Sequence, residues 1–147
     1  PKAKVHVVEL FPEIVEWNRT FMADLNGDAL KDPRVKVLEE DVRAVISRSA
    51  QTPYDVIVLD IDNNTTAMVK VENHQLYEKL GIQETWEALR PGGRAAIWFA
   101  CPDVAIERLL RKVGFTVQAI PAKVYASSKS GPYMIYVADK PLSANRK

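Results

Sequence analysis

Apolar and polar positions along the chain alternate between a two-residue and a helical period. Val5-His6-Val7-Val8-Glu9-Leu10 is β-branched and apolar, and closes on an acid before Phe11-Pro12, which predicts a strand. Ile14, Trp17, Phe21 and Leu25 then recur at helical spacing and predict a helix over residues 12–26. Pro12 suits its first turn and Asn26-Gly27 its stop. Residues 34–38 read as a second short strand. Asp41 can cap a helix over residues 42–49, with Val42, Val45 and Ile46 inward. Residues 54–60 form the clearest strand. Its uninterrupted run Val56-Ile57-Val58-Leu59 predicts burial on both faces, as in a central parallel strand. Residues 61–73 are polar and irregular. A helix broken near Gly81 follows, carrying Leu76, Leu80, Trp86 and Leu89 and ended by Pro91-Gly92-Gly93. Residues 94–100 are another buried strand. Residues 102–113 are a helix with Ile106, Leu110 and Val113 on one face and Gly114 as its stop. Residues 115–125 and 133–138 are the last two strands, and the short polar joint 127–132 allows an antiparallel hairpin.

Strands alternating with helices give an α/β fold with a mostly parallel sheet. The length of 147 residues fits one domain, taken as residues 1–141 with a flexible tail at 142–147. Hydrophobic residues at 47% and charged residues at 27% predict a globular chain. A net charge of +1 argues against a nucleic-acid or membrane-surface partner, since both call for a basic excess. The single cysteine, Cys101, excludes an internal disulfide and a Cys-rich metal site, and no apolar run reaches a membrane span. A reducing, cytoplasmic setting is expected, with a small-molecule substrate and room for a homodimer.

Ligands of open α/β sheets bind beyond the carboxyl ends of the strands, and acids stand at those ends here. Glu9 closes the first strand, Asp41 lies just past the second, and Asp60 and Asp62 follow the third. Lysine and arginine are absent from the strand ends themselves, which favours a ligand with hydroxyls, amines or positive charge over a phosphate. Glu9 can accept bonds from ribose hydroxyls, or it can simply close a turn. Asp41 serves equally well as a helix cap or as a ligand group. Asp60 and Asp62 can bind an amine, one of them acting as general base, or can open a polar loop. His6 and His74 lack ligand-spaced partners, so no metal is expected. Cys101 reads as a buried small residue, Trp17, Trp86 and Trp98 as core, and the basic run 108–112 as a solvated helix face.

In this order the pieces resemble the spermidine synthase-like branch of the class I S-adenosylmethionine-dependent methyltransferase superfamily. The matching stretches run from Val7 through Asn18 and include Asp32-Pro33-Arg34-Val35, Glu40-Asp41-Val42 and Tyr54 through Asp60. Leu76-Tyr77, Leu89-Arg90-Pro91-Gly92-Gly93 and Gly114-Phe115 complete the set. The resemblance implies a Rossmann-like sheet, mostly parallel with an antiparallel final strand, entered at the fold's second strand. It also implies S-adenosylmethionine or its decarboxylated form as co-substrate, no metal, and an amine, such as a polyamine, as acceptor. Glu9 would hold the ribose hydroxyls and Asp41 the adenine amino group. Asp60 would deprotonate the attacking amine, and Asp62 and Tyr77 would bind the substrate.

Two features depart from that family. None of the six glycines makes a Gly-x-Gly loop, so the first strand and its glycine-rich loop are expected on an additional segment upstream of Pro1. The family's Asp-x-x-Asp-Pro is here Asp60-Ile61-Asp62-Asn63-Asn64, with the second acid one residue closer. The leading expectation is a transferase with an amine acceptor. The alternatives are a small-molecule methyltransferase and a non-catalytic nucleoside-binding or relic domain.

Overall fold

A computed structural model describes residues 2–61, 71–123 and 133–142. It divides into two compact units, Pro1–Ile46 and Ser47–Lys147.

In the first unit, strands β1 (Val5–Glu9) and β2 (Val35–Glu39) pair in parallel, from Val5 opposite Val35 to Glu9 opposite Glu39. A parallel pair needs a crossover. Helices α1 (Pro12–Arg19) and α2 (Ala23–Asn26) and a 3-10 turn at Ala29–Lys31 supply it. The single helix expected over residues 12–26 is therefore broken. Side-chain bonds to backbone carbonyls accompany the break. Thr20 donates its hydroxyl to the Glu16 carbonyl at 2.8 Å, and the Asn26 amide donates to the Asn18 carbonyl at 2.9 Å. The Met22 N–H is diverted to Trp17, five residues back, at 2.9 Å. The expected inward face fails as well. Val15 is the buried residue of α1, while Phe21 is 83% and Leu25 84% exposed. Gly27 and Asp28 are both left-handed, at φ 62° and 56°, and turn the chain toward β2. Helix α3 (Val42–Arg48) runs across the boundary between the units, with Val45 and Ile46 buried as expected.

The second unit holds a four-stranded sheet in the order β3 (Tyr54–Leu59), β4 (Leu89–Phe99), β6 (Tyr133–Asp139), β5 (Thr116–Ala122). β3 and β4 are parallel, and β6 is antiparallel to both β4 and β5, as expected for the final strand. Helices α4 (Lys79–Glu87) and α5 (Val104–Val113) pack with this sheet. The core comprises Ile57 and Leu59 of β3, Ala95, Ile97 and Phe99 of β4, Tyr136 and Ala138 of β6, and Ile106 and Leu110 of α5. Burial of β3 on both faces is not found. Val56 is 54% and Val58 69% exposed while Ile57 and Leu59 are buried, because successive side chains point to opposite faces and only one of those faces carries the core. Among the described residues β1 and β3 thus each keep one edge without a strand partner.

The helix before β4 also differs from expectation. A 3-10 segment, Val71–Tyr77, precedes α4, and the break falls between them rather than at Gly81. Gly81 lies inside α4, where a Cβ would run into the Leu76 carbonyl, so glycine lets the helix sit on the 3-10 backbone. Leu80 is exposed. Leu89 starts β4, and Pro91-Gly92-Gly93 forms an irregular stretch inside that strand instead of a helix stop. The Lys140 ammonium donates to the Trp86 and Leu89 carbonyls at 2.7 and 2.5 Å, closing the end of α4. Burial pushes the Lys140 pKa down.

Candidate active site

The parallel register of β1 and β2 brings Glu9 and Asp41 to one end of the first unit. The Glu40 N–H donates to the Glu9 carbonyl at 3.1 Å, tying the two strand ends together. Glu9 is half-buried, and its Oε1 accepts from the Phe11 N–H at 2.9 Å. The turn-closing role is therefore present. A carboxylate has about four acceptor positions, so one such bond is compatible with accepting from a diol. Asp41 accepts from the Arg43 N–H at 2.8 Å, the second residue of α3, and so caps that helix. Its Oδ2 also meets the Arg43 guanidinium at 3.0 Å. Arg19 approaches Glu39 to 3.7 Å. Cations therefore do reach this strand end, carried by the helices rather than the strands.

In the second unit, Asp60 is exposed and directly follows the buried Leu59 at the carboxyl end of β3. Asp62 lies outside the described residues. Tyr77 is half-buried, and its hydroxyl donates to the carbonyl of Ile61, the neighbour of Asp60, at 3.5 Å. Its ring meets Phe99 edge-on, with centroids 5.1 Å apart, and Phe99 in turn meets Tyr136 at 5.6 Å. The Tyr136 hydroxyl accepts from the Asp103 N–H at 2.7 Å and donates to the Asp103 carbonyl at 2.9 Å. Desolvation raises the Tyr136 pKa. Asp103 caps α5 by accepting from the Ala105 and Ile106 N–H groups. Cys101 is exposed in the turn after β4, contrary to the buried role expected of it, because the strand has already ended at Phe99.

Sequence reasoning missed Phe99, Asp103 and Tyr136. Asp103 carried a signal, an aspartate just ahead of an apolar-periodic helix. A helix start placed at residue 102 hid it. Tyr136 carried none, since a tyrosine in an apolar strand reads as core.

The first unit also has an open hollow of about 440 Å³ lined by Lys2, Lys4, His6, Arg34 and Lys36. It lies at the amino ends of β1 and β2, opposite the acids, and its charge does not suit a cationic ligand. Among the described residues no group of three or more His, Cys, Asp or Glu side chains could hold a metal ion. No described helix is long and apolar enough to cross a membrane.

Comparison with known proteins agrees with the order of these elements. The chain is 31% identical over 140 residues to polyamine aminopropyltransferase 2 of Pseudomonas aeruginosa, a match covering 88% of this chain and 38% of that protein. The chain thus spans less than half of that relative's length. Among solved structures, it superposes on human methyltransferase-like protein 13, crystallised with SAH, at a TM-score of 0.72 and 22% identity. That match covers all of this chain and 64% of the other. Spermidine synthase from Thermotoga maritima aligns at a TM-score of 0.67 and 18% identity, covering 95% of this chain and 46% of the other. These likenesses show the Rossmann-like methyltransferase fold. Residues 2–113 match the spermine/spermidine synthase domain, so this chain, with its acids at the ends of β1 and β3, belongs to the spermine/spermidine synthase family.

Proposed function

We propose that the full-length protein carrying this chain transfers the aminopropyl group of decarboxylated S-adenosylmethionine to an amine of the polyamine class. The family match over residues 2–113 carries this reading. The acids at the carboxyl ends of the strands give it a chemistry. Glu9 holds the ribose hydroxyls. Asp41, besides capping α3, accepts from the adenine amino group. The acceptor nitrogen attacks the aminopropyl carbon bound to the sulfonium sulfur. The new C–N bond forms as the C–S pair returns to sulfur, leaving a neutral thioether, and Asp60 takes the proton lost by the nitrogen. Tyr77 and Asp62 contact the amine substrate. A reducing, cytoplasmic setting goes with this reading, and one cysteine in 147 residues suits it.

The test supplies the full-length protein with putrescine and either decarboxylated or intact S-adenosylmethionine. The expected outcome is an aminopropylated product from the first donor and no methylated product from the second. Methyl transfer from the second donor would overturn the reading. Glu9→Ala should weaken nucleoside binding by about 1.5–3 kcal/mol, the range for a hydrogen bond to a charged group. Asp60→Asn should lower kcat by about 10²–10⁴-fold while leaving nucleoside affinity unchanged. Equal losses of affinity in both variants would reduce Asp60 to a binding residue.

A further inference from the structure

We infer that the basic hollow at the amino ends of β1 and β2 is a binding site for a small soluble oligophosphate. The ligand is a short run of linked phosphate groups, carried by a nucleotide or present as the free inorganic ion. The inference stands on the first unit alone. It does not depend on the roles given to Glu9, Asp41 and Asp60 at the carboxyl ends of the strands.

Residue spacing builds the hollow. Lys2, Lys4 and His6 alternate along the segment that leads into β1, and Arg34 and Lys36 alternate at the start of β2. Successive side chains of a strand point to opposite faces, so residues two apart share a face. The parallel register sets His6 opposite Lys36. The Val5 N–H donates to the Arg34 carbonyl at 2.9 Å, which carries the pairing back to Arg34. The basic residues of both strands therefore fall on one face, while Val5, Val7, Val35 and Val37 take the other. All five basic residues line one open hollow of about 440 Å³, a volume suited to a small ligand.

The charge there is unbalanced. No carboxylate lines the hollow, and Asp32, which lies outside its lining, takes up the Arg34 guanidinium at 2.6 Å. Lys2, Lys4 and Lys36 are exposed and, among the described residues, make no ion pair. Three ammonium groups thus share one concave place in a chain whose total charge is +1. An anion that meets several of them at once relieves their repulsion. Each exposed pair is weak by itself, so one negative charge gains little and linked charges gain more. Phosphate oxygens suit the compact lysine ammonium. A nucleic acid fits less well, because a typical contact set of about 6–10 phosphates exceeds what three lysines on two short strands can meet. The amine substrates of the proposed reaction are cations and are repelled from this end.

The test is calorimetry of the full-length protein with sodium tripolyphosphate, in a buffer free of amines and phosphate. Saturable binding is expected, weakening as salt rises from about 0.05 to 0.3 M. Orthophosphate should bind about tenfold more weakly or worse, since it cannot reach several lysines together. Lys4→Gln combined with Lys36→Gln should lower tripolyphosphate affinity about tenfold or more, the size expected for the loss of two exposed charge pairs. Its unfolding temperature should match the parent's, because both side chains are exposed. On addition of tripolyphosphate, amide resonances of residues 4–7 and 34–37 should shift. ATP binding as tightly as tripolyphosphate, with AMP far weaker, would support the site and assign it to a nucleotide's phosphates. Tripolyphosphate binding more tightly than ATP would support it and assign it to the inorganic ion. Absence of saturable binding, an affinity unchanged by the double substitution, or shifts confined to other residues would overturn the inference. A single-stranded RNA that displaces tripolyphosphate and binds more tightly through the same lysines would also overturn it.

Discussion

The two units treat the same apolar periodicity in opposite ways. In Ser47–Lys147, α5 buries Ile106 and Leu110 and packs on α4 and β5. In Pro1–Ile46, Ile14, Trp17, Phe21 and Leu25 recur at the same spacing, yet all four are exposed. Helical periodicity reports that one face is apolar, whereas burial also needs a facing surface. The second unit offers a four-stranded sheet. The first offers two strands of five residues, fewer than the three strands that usually make a sheet independently stable.

The largest expected effect tests that contrast directly. Leu110→Ala should cost about 2–5 kcal/mol in urea denaturation, because Leu110 is fully buried and its removal leaves a cavity. Leu25→Ala should change stability by less than about 0.5 kcal/mol, as for other exposed sites. Equal losses would mean that the two sites are packed alike, and the comparison would fail.

The same contrast explains what was legible from sequence. Buried runs and their order gave the strands, the α/β class and the antiparallel last strand, because side-chain period and turn chemistry are local. Helix boundaries at Thr20 and Tyr77 were not legible. They depend on side chains such as Thr20 and Asn26 competing for backbone carbonyls, and on the close approach that Gly81 permits. Exposure of Val56 and Val58 was hidden too, since it follows from what covers that face of the sheet rather than from β3 itself. Of the candidate site, Glu9, Asp41 and Asp60 stand at strand ends as expected. The contacts among the Tyr77, Phe99 and Tyr136 rings were invisible because the rings come from three distant segments.

A second, smaller effect sharpens the picture of α5. Asp103→Ala should cost about 1 kcal/mol, since it removes the bonds that cap two N–H groups of the helix. Thermal denaturation would detect it. A neutral result would mean that packing of Ile106 and Leu110 holds the helix start without its cap.

The smallest effect lies in the first unit. Arg34 beside Asp32 holds that carboxyl at about 2, chiefly through side-chain hydrogen bonds. A carboxylate lowered in the folded state stabilises it above the ordinary carboxylate value. That contribution disappears as pH falls through about 2. The Asp32 side chain is only partly exposed but the pair sits at the surface, where solvent screens it, so the stability change should be slight, and the check is a titration followed by NMR. Its midpoint should move back toward the ordinary value in Arg34→Ala. A midpoint unmoved by that change would mean that the pair does not persist in solution.

The strand order carries one further consequence, for synthesis. β5 joins the sheet only through β6, which is made after it and lies between it and β4. While the chain is growing, α5 and β5 emerge with no strand to pair against, and the antiparallel edge of β4 stays open. The sheet of the second unit can close only when residues 133–139 have left the ribosome. Until then both edges are bare backbone, the kind that neighbouring chains can capture. β6, translated after both strands it joins, therefore acts as the keystone of the unit, and any delay in releasing it lengthens the interval in which misassembly competes with folding.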